Sequence, residues 1–375
     1  MSERFHAGKA RWDLIISKLT MKIFNPTEDF KDIKKYTMRA PDKQRIFDAI
    51  DHKETGEIPI LEIDPDMEFV NQILNKDFPM GMHCFELEAE DNIELNLRMG
   101  NDLTFFGHVW HVGRKEMVDD AGRIHYVDGI IKSRDMLSEF WFPNLDKLEK
   151  RLEDHCKKVE GTGMGIMCKA QTPAFTAMCA MGYSDFLLNT VMDTDFVYDM
   201  INMTHDYCMK ELNIFLQYPV DFVMVGSGLV TNYAPMVSPD ALEKLETKYI
   251  RDEIDLSRSK GKKIEFHIDG KVDNMIPDFV EMGVDILNPI DLCAGNQDIY
   301  QIKELYGDII TISGNIDIDG VLKNGTPDEV KNDVIEHIEK LTPGGGYIVS
   351  SSHNLHELIP IDNFYAMRDA VLDYK

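Results

Sequence analysis

The sequence predicts an α/β chain folded as a single (β/α)8 TIM barrel, on three observations. Short β-branched runs recur eight times, helix-length segments separate them, and polar side chains gather where the runs end. The runs are Ile58–Ile63, Leu103–Phe106, Met164–Cys168, Phe222–Val225, Ile264–His267, Asp285–Asn288, Ile309–Ser313 and Tyr347–Ser350. Helix-start signals open the segments between them. Ser238-Pro239 precedes Asp240–Lys260 and Thr326-Pro327 precedes Asp328–Lys340, each with a hydroxyl to cap and a proline in the first turn. Parallel strands joined by right-handed helical crossovers close into a barrel at this strand number.

Two stretches depart from the alternation. His108–Ser133 reads as strand, Asp119-Asp120-Ala121-Gly122 turn and strand, an inserted β-hairpin expected over the barrel mouth. Residues 1–42, with a helical stretch near Ala10–Ile23, form an N-terminal extension ahead of a barrel domain at 43–375. Hydrophobic residues make up 43% of the 375 and charged ones 28%, enough to bury a large core.

Composition removes several function classes. Acidic residues outnumber basic ones 66 to 40, and a formal charge of −26 disfavours nucleic acid and anionic membranes as partners. No run approaches the roughly 20 apolar residues of a membrane span, and the N-terminus lacks a signal-peptide core, so the expected compartment is cytoplasmic. The six cysteines form no C-x-x-C pair, against a disulfide framework or a zinc ribbon. There is no P-loop, dinucleotide fingerprint or G-x-S-x-G elbow; Gly344-Gly345-Gly346 precedes a strand and reads as a turn.

Barrel chemistry sits at the C-terminal strand ends. The fifth run ends in His267-Ile268-Asp269, which puts His267 and Asp269 on one side of an extended chain, and the eighth is followed by His353. A His, Asp, His set with one open position suits a catalytic zinc, and these residues are the expected catalytic and metal-binding ones. The other reading has His267 bonded to a carbonyl and Asp269 capping the next helix. Gln171, Asn288, Asn315 and Asp317 also lie at strand ends, where they can orient a polar substrate or cap the following helix. Glu62 and Asp64 flank the exit of the first run, and His108 and His111 lie in the hairpin around Trp110; Glu62 and His108 join the substrate set, against packing roles. Glu246 is expected on a solvated helix face.

The C-terminal half carries a family likeness. Phe266-His267-Ile268-Asp269-Gly270, Met282-Gly283-Val284-Asp285-Ile286-Leu287-Asn288-Pro289, Gly314-Asn315-Ile316-Asp317, Lys323-Asn324-Gly325-Thr326-Pro327 and Gly344-Gly345-Gly346-Tyr347-Ile348 resemble, in order and spacing, the uroporphyrinogen decarboxylase superfamily and its cobalamin-dependent methyltransferases. Weaker likeness reaches back to about residue 43. The resemblance implies a (β/α)8 barrel.

Two departures refine it. The decarboxylases grip tetrapyrrole carboxylates with an N-terminal arginine-rich motif, whereas the matching stretch here, Glu62-Ile63-Asp64-Pro65-Asp66, is acidic. The thiol-methylating members bind zinc through a His-x-Cys pair and a later Cys; His267, Asp269 and His353 occupy those positions here. A harder donor set leaves the metal more electrophilic and suits activation of an ether oxygen. The resemblance therefore implies the methyltransferase of an O-demethylase system. Such an enzyme passes methyl from a methoxylated small-molecule donor, plausibly aromatic, to the cobalt(I) of a corrinoid (cobalamin) carried by a partner protein, with zinc as Lewis acid. Transfer from the corrinoid protein to tetrahydrofolate or another acceptor, and a decarboxylase-like lyase, are the alternatives. Self-association into a homo-oligomer is compatible with the sequence.

Overall fold

The computed structural model describes residues 39–107, 112–292, 294 and 297–374. The expected helix near Ala10–Ile23, and His108, Trp110 and His111, lie outside them.

Seven parallel strands make the main sheet: β1 (Leu103–Phe106), β4 (Gly165–Lys169), β5 (Phe222–Gly226), β6 (Lys263–His267), β7 (Ile286–Asn288), β8 (Thr311–Ser313) and β9 (Tyr347–Ile348), paired in that order. The remaining two, β2 (Arg114–Val118) and β3 (Ile124–Gly129), form the antiparallel hairpin. Short, β-branched strands buried on both faces are what a parallel sheet covered by helices requires.

The first predicted strand is corrected by the structure. Ile58–Ile63 makes one parallel bridge, Ile60 to Val349, with Leu61 N donating to the Val349 carbonyl and Val349 N to that of Pro59. A regular ladder fails because Pro59 has no N–H to donate. On its other flank this segment meets the residues before β1 through a side chain. Asn101 Nδ2 donates to the Glu62 carbonyl and its Oδ1 accepts from Glu62 N, both at 2.9 Å. Segment 58–63 thus lies between the two edges of the seven-stranded sheet and closes the barrel, with an asparagine amide standing in for one rung of the seam.

Helices follow the expected caps. Thr326 and Glu329 form a capping box at the start of Pro327–Leu341, and the Ser238 side chain accepts from Ala241 N ahead of Pro239–Leu242. The second of these runs differs from a plain helix: residues Glu243–Thr247 form a π-turn before the α-helix resumes at Lys248–Ser259. The hairpin packs on helix Pro173–Met181. Gly129 lies so close that a Cβ there would come within 2.2 Å of the Met181 carbonyl carbon, and Tyr126 Oη donates to the Cys179 carbonyl at 3.1 Å. At its tip Arg123 bonds both carboxylate oxygens of Glu68 and lies 3.5 Å from Glu357, so the hairpin reaches the loop after β9 along the rim of the mouth. Among the described residues no helix is long and apolar enough to cross a membrane.

Candidate functional site

Strand alternation sends Glu265 and His267 of β6 to the barrel interior, with His267 at the mouth. Beside it, Gly226 of β5 has no room for a side chain, since a Cβ would lie 2.9 Å from the His267 carbonyl oxygen. His267 Nδ1 is 2.9 Å from Asn288 Oδ1, and Asn288 Nδ2 donates to Ser313 Oγ at 3.1 Å. The Asn288 amide is oriented by that second bond, so Nδ1 of His267 carries a hydrogen and Nε2 faces the mouth. Asn288 is 98% buried, and its amide acts on the imidazole from beneath.

Asp269 lies between two imidazoles. Its Oδ2 is 3.8 Å from His267 Nε2 and its Oδ1 3.5 Å from His353 Nε2. Burial raises its pKa, but the neighbouring His353 and His267 outweigh that and hold the carboxyl below its usual range. Asp269 in turn raises the His353 pKa, against partial burial. The loop carrying His353 is held by Glu62, which is buried. Ser351 N is 2.6 Å from Glu62 Oε1, and Ser351 Oγ lies 2.6 Å from Glu62 Oε2 and 2.7 Å from the His353 carbonyl oxygen. A hydroxyl has one proton to give. Burial pushes the Glu62 carboxyl up to about 7, the Ser351 bonds offsetting only part, and a protonated Glu62 can donate to Ser351 Oγ while that hydroxyl donates onward.

These donors suit a metal in type and nearly in spacing. Ligands about 2.1 Å from a tetrahedral zinc sit about 3.4 Å from one another, close to the two His–Asp separations. Among the described residues, however, the group whose donor atoms all lie within 4.8 Å of each other is Asp64, His83 and Cys84. The two imidazoles approach different oxygens of Asp269, and the three donors do not all lie within 4.8 Å of one another.

The remaining predicted residues divide. Gln171 is 91% buried two positions beyond β4, on the C-terminal face. Asn315 is fully buried, with Nδ2 donating to the Ile290 carbonyl and Oδ1 3.2 Å from His337 Nε2, so it ties the loop after β8 to helix Pro327–Leu341. Asp317 caps the following turn, accepting from Asp319 N and Gly320 N. His108 lies outside the described residues. Glu246 corrects the expectation of a solvated face: it is buried and accepts from Ser227 Oγ at 2.5 Å and Gly228 N at 2.9 Å, fastening the loop after β5.

Asp64 was placed by sequence at the exit of the first run, but its partners His83 and Lys169 were not, nor was Glu265. Asp64 is flanked by His83 at 2.9 Å and by Lys169 Nζ at 3.8 Å. Burial acts to raise its pKa, yet His83 and Lys169 hold it far below the usual carboxylate range. Glu265 is fully buried, and neither of its oxygens has a hydrogen-bond partner. Burial drives its carboxyl well up, opposed by Lys169. Alternation along β6 could have found Glu265; nothing local could have found the pairing of Asp64 with His83.

A family model described as uroporphyrinogen decarboxylase (URO-D) matches residues 146–374. Among solved structures, a methyltransferase from Methanosarcina mazei aligns with a TM-score of 0.69 at 16% identity, covering 88% of this chain and 98% of that one. The apo form of 3-keto-D-glucoside 4-epimerase, YcjR, from E. coli covers 61% of this chain and 86% of its own at 15% identity, with a TM-score of only 0.36. No curated protein sequence matches the chain.

Proposed function

This chain belongs to the uroporphyrinogen decarboxylase family, and we propose that it works there as the methyltransferase of an O-demethylase system. It takes the methyl group of a methoxylated, aromatic small molecule and delivers it to the cobalt(I) of a corrinoid carried by a partner protein. The observation that carries this reading is the mouth of β6, where Asn288 fixes His267 with Nε2 free and facing Asp269, itself shared with His353. The fold shared with a methyltransferase agrees with it.

The acidic exit of the first barrel segment weighs against tetrapyrrole decarboxylation. Asp64, kept ionised by His83 and Lys169, stands where a polyanionic substrate would be repelled. In this reading His267, Asp269 and His353 hold the metal. When bound, zinc supplies polarisation of the donor's oxygen, and the corrinoid supplies the nucleophile. The protein's own residues orient and position. Asn288 sets the His267 tautomer, Glu62 sets the His353 loop through Ser351, and Gln171 faces the methyl donor. The hairpin rim, β2 and β3, shapes the approach of the partner protein.

The test is elemental analysis of the purified protein beside His267→Ala and His353→Ala, followed by transfer assays from a panel of methoxylated aromatics to cobalt(I) corrinoid, read by loss of the cobalt(I) absorbance. Zinc bound by the wild type, depleted in both variants together with methyl transfer, supports the reading. Full transfer by the metal-free wild type overturns the metal assignment. Transfer only from methylcorrinoid to tetrahydrofolate moves the protein to the opposite half-reaction.

A further inference from the structure

Asp64, His83 and Cys84 meet on the same face of the barrel but on different elements from the β6 donors. Asp64 leaves the first barrel segment in the left-handed region, φ 60°, which carries its carboxylate toward residues 83 and 84. His83 caps the short turn Cys84–Glu86, and its ring stacks on Phe85 with centroids 5.1 Å apart and planes 9° from parallel. Cys84 is buried, with its sulfur 3.3 Å from Asp64 Oδ1, the same oxygen that lies 2.9 Å from His83 Nε2. Lys169 approaches the other oxygen, Oδ2, at 3.8 Å.

We propose that Asp64, His83 and Cys84 are a second metal site, taking a zinc-like divalent cation and separate from the His267–Asp269–His353 set. One carboxylate, one imidazole and one thiol are donors that zinc accepts together. All three donor atoms already lie within 4.8 Å of one another, whereas the β6 set does not close to that extent. Tetrahedral zinc with arms of about 2.1 Å to oxygen and nitrogen and about 2.3 Å to sulfur separates its ligands by about 3.4 to 3.6 Å. The observed 2.9 and 3.3 Å require the donors to spread by a few tenths of an ångström.

Proton balance is simple. The Cys84 S–H and the His83 Nε2–H now compete for Asp64 Oδ1; a cation in their place releases the thiol proton, and the Nε2 hydrogen moves to Nδ1, giving up the bond from Phe85 N, or leaves as a second proton if His83 enters charged. The dication, one carboxylate and one thiolate sum to neutral, so Lys169 keeps its charge and its contact with Oδ2. Three protein ligands leave one coordination position to be filled, the count of catalytic rather than closed structural zinc. The proposal rests on this geometry and does not depend on the methyl-transfer reading.

The experiment uses the full chain stripped with a chelator and titrated with Co²⁺, watching for a near-ultraviolet thiolate-to-cobalt charge-transfer band. The band should appear in the wild type and persist in a His267→Ala/His353→Ala double variant. It should vanish in Cys84→Ser, and His83→Gln, at a partly exposed ring, should weaken zinc binding at least tenfold in competition with a chromophoric chelator. Absence of the band from the wild type, or its survival in Cys84→Ser, overturns the site. Because the band comes from sulfur, it reports this site whether or not methyl transfer is observed, and loss of transfer in the His267 variant with the band intact would separate the two sites.

Discussion

The carboxylates that begin strands at the N-terminal end and those around β6 at the mouth are held in different ways. At the N-terminal end, aspartates that begin strands are stitched to cations and to backbone. Asp102, before β1, accepts at Oδ1 from Asp42 N and Arg45, while its Oδ2 has no hydrogen bond and lies 3.7 Å from Arg39; Asp221, before β5, accepts from Lys43 and Ile166 N; Asp285, before β7, from Lys263 and Ile264 N. In the last two, one oxygen binds a lysine and the other binds the neighbouring strand's amide. At the C-terminal end, Glu265 and one oxygen of Asp269 are shielded from water without a hydrogen-bond partner, and Asp64 is shared by His83 and Lys169. Groups satisfied by the fold hold it together, while groups left wanting are free to bind something else.

Substitutions at the two ends should therefore fail in different ways. Asp102→Ala leaves Arg45 and Arg39 facing a buried gap and should cost about 3 to 5 kcal/mol in urea unfolding, with methyl transfer per folded molecule unchanged. A loss below about 1 kcal/mol would break the contrast. His267→Ala should reverse the pattern, lowering transfer by about 10²- to 10³-fold while stability moves by less than about 1 kcal/mol.

Protonation sharpens the comparison. Burial holds the carboxyls of Glu62 and Glu246 up to about 7 against an ordinary 4.5, only partly offset by hydrogen bonds from Ser351 and from Gly228 and Ser227. Between those pH values the folded chain keeps protons that the unfolded chain has released, so stability falls as pH rises from about 4.5 to about 7 and levels off above. The drop is at most about 3 kcal/mol per group. Urea midpoints at about pH 5 and about pH 8 should converge in Glu62→Gln/Glu246→Gln relative to wild type. Equal slopes in both proteins would show that these carboxyls titrate normally. The smallest effect belongs to the seam: Asn101→Ala removes both amide bonds to Glu62 and should cost about 1 to 3 kcal/mol, felt at both ends because closure is shared.

Most of the scaffold was legible. Seven of the eight predicted runs are strands of the sheet, with ends shifted by up to two residues, because β-branched runs between capped helices carry a local signal. The remaining one, Ile58–Ile63, showed its apolar run but concealed that Pro59 would prevent a ladder and that Asn101 would complete the closure. Glu246 was misplaced for a definable reason. It shares the i, i+3, i+4 stripe of the buried Leu242, Leu245, Tyr249 and Ile250, but its charge argues for water; only the loop after β5, where Ser227 and Gly228 bond the carboxyl, lets it be buried.

The candidate site was legible only where it is local. The spacing of His267 and Asp269 across one intervening residue, at the end of an apolar run, is enough to place both at the mouth, since extended backbone alternates its side chains whatever surrounds it. The partnership of His267 with Asn288, the hold of Glu62 on the His353 loop and the meeting of Asp64 with His83 and Cys84 each join residues about 20 or more positions apart. The sequence by itself determined the barrel, its strand ends and the chemical types gathered there, because propensity, capping and alternation act over a few residues. Only the tertiary structure decided which of those side chains touch, which carboxyls lose their water, and which donors converge closely enough to hold a cation, because burial and distance across a barrel depend on closure of the whole chain.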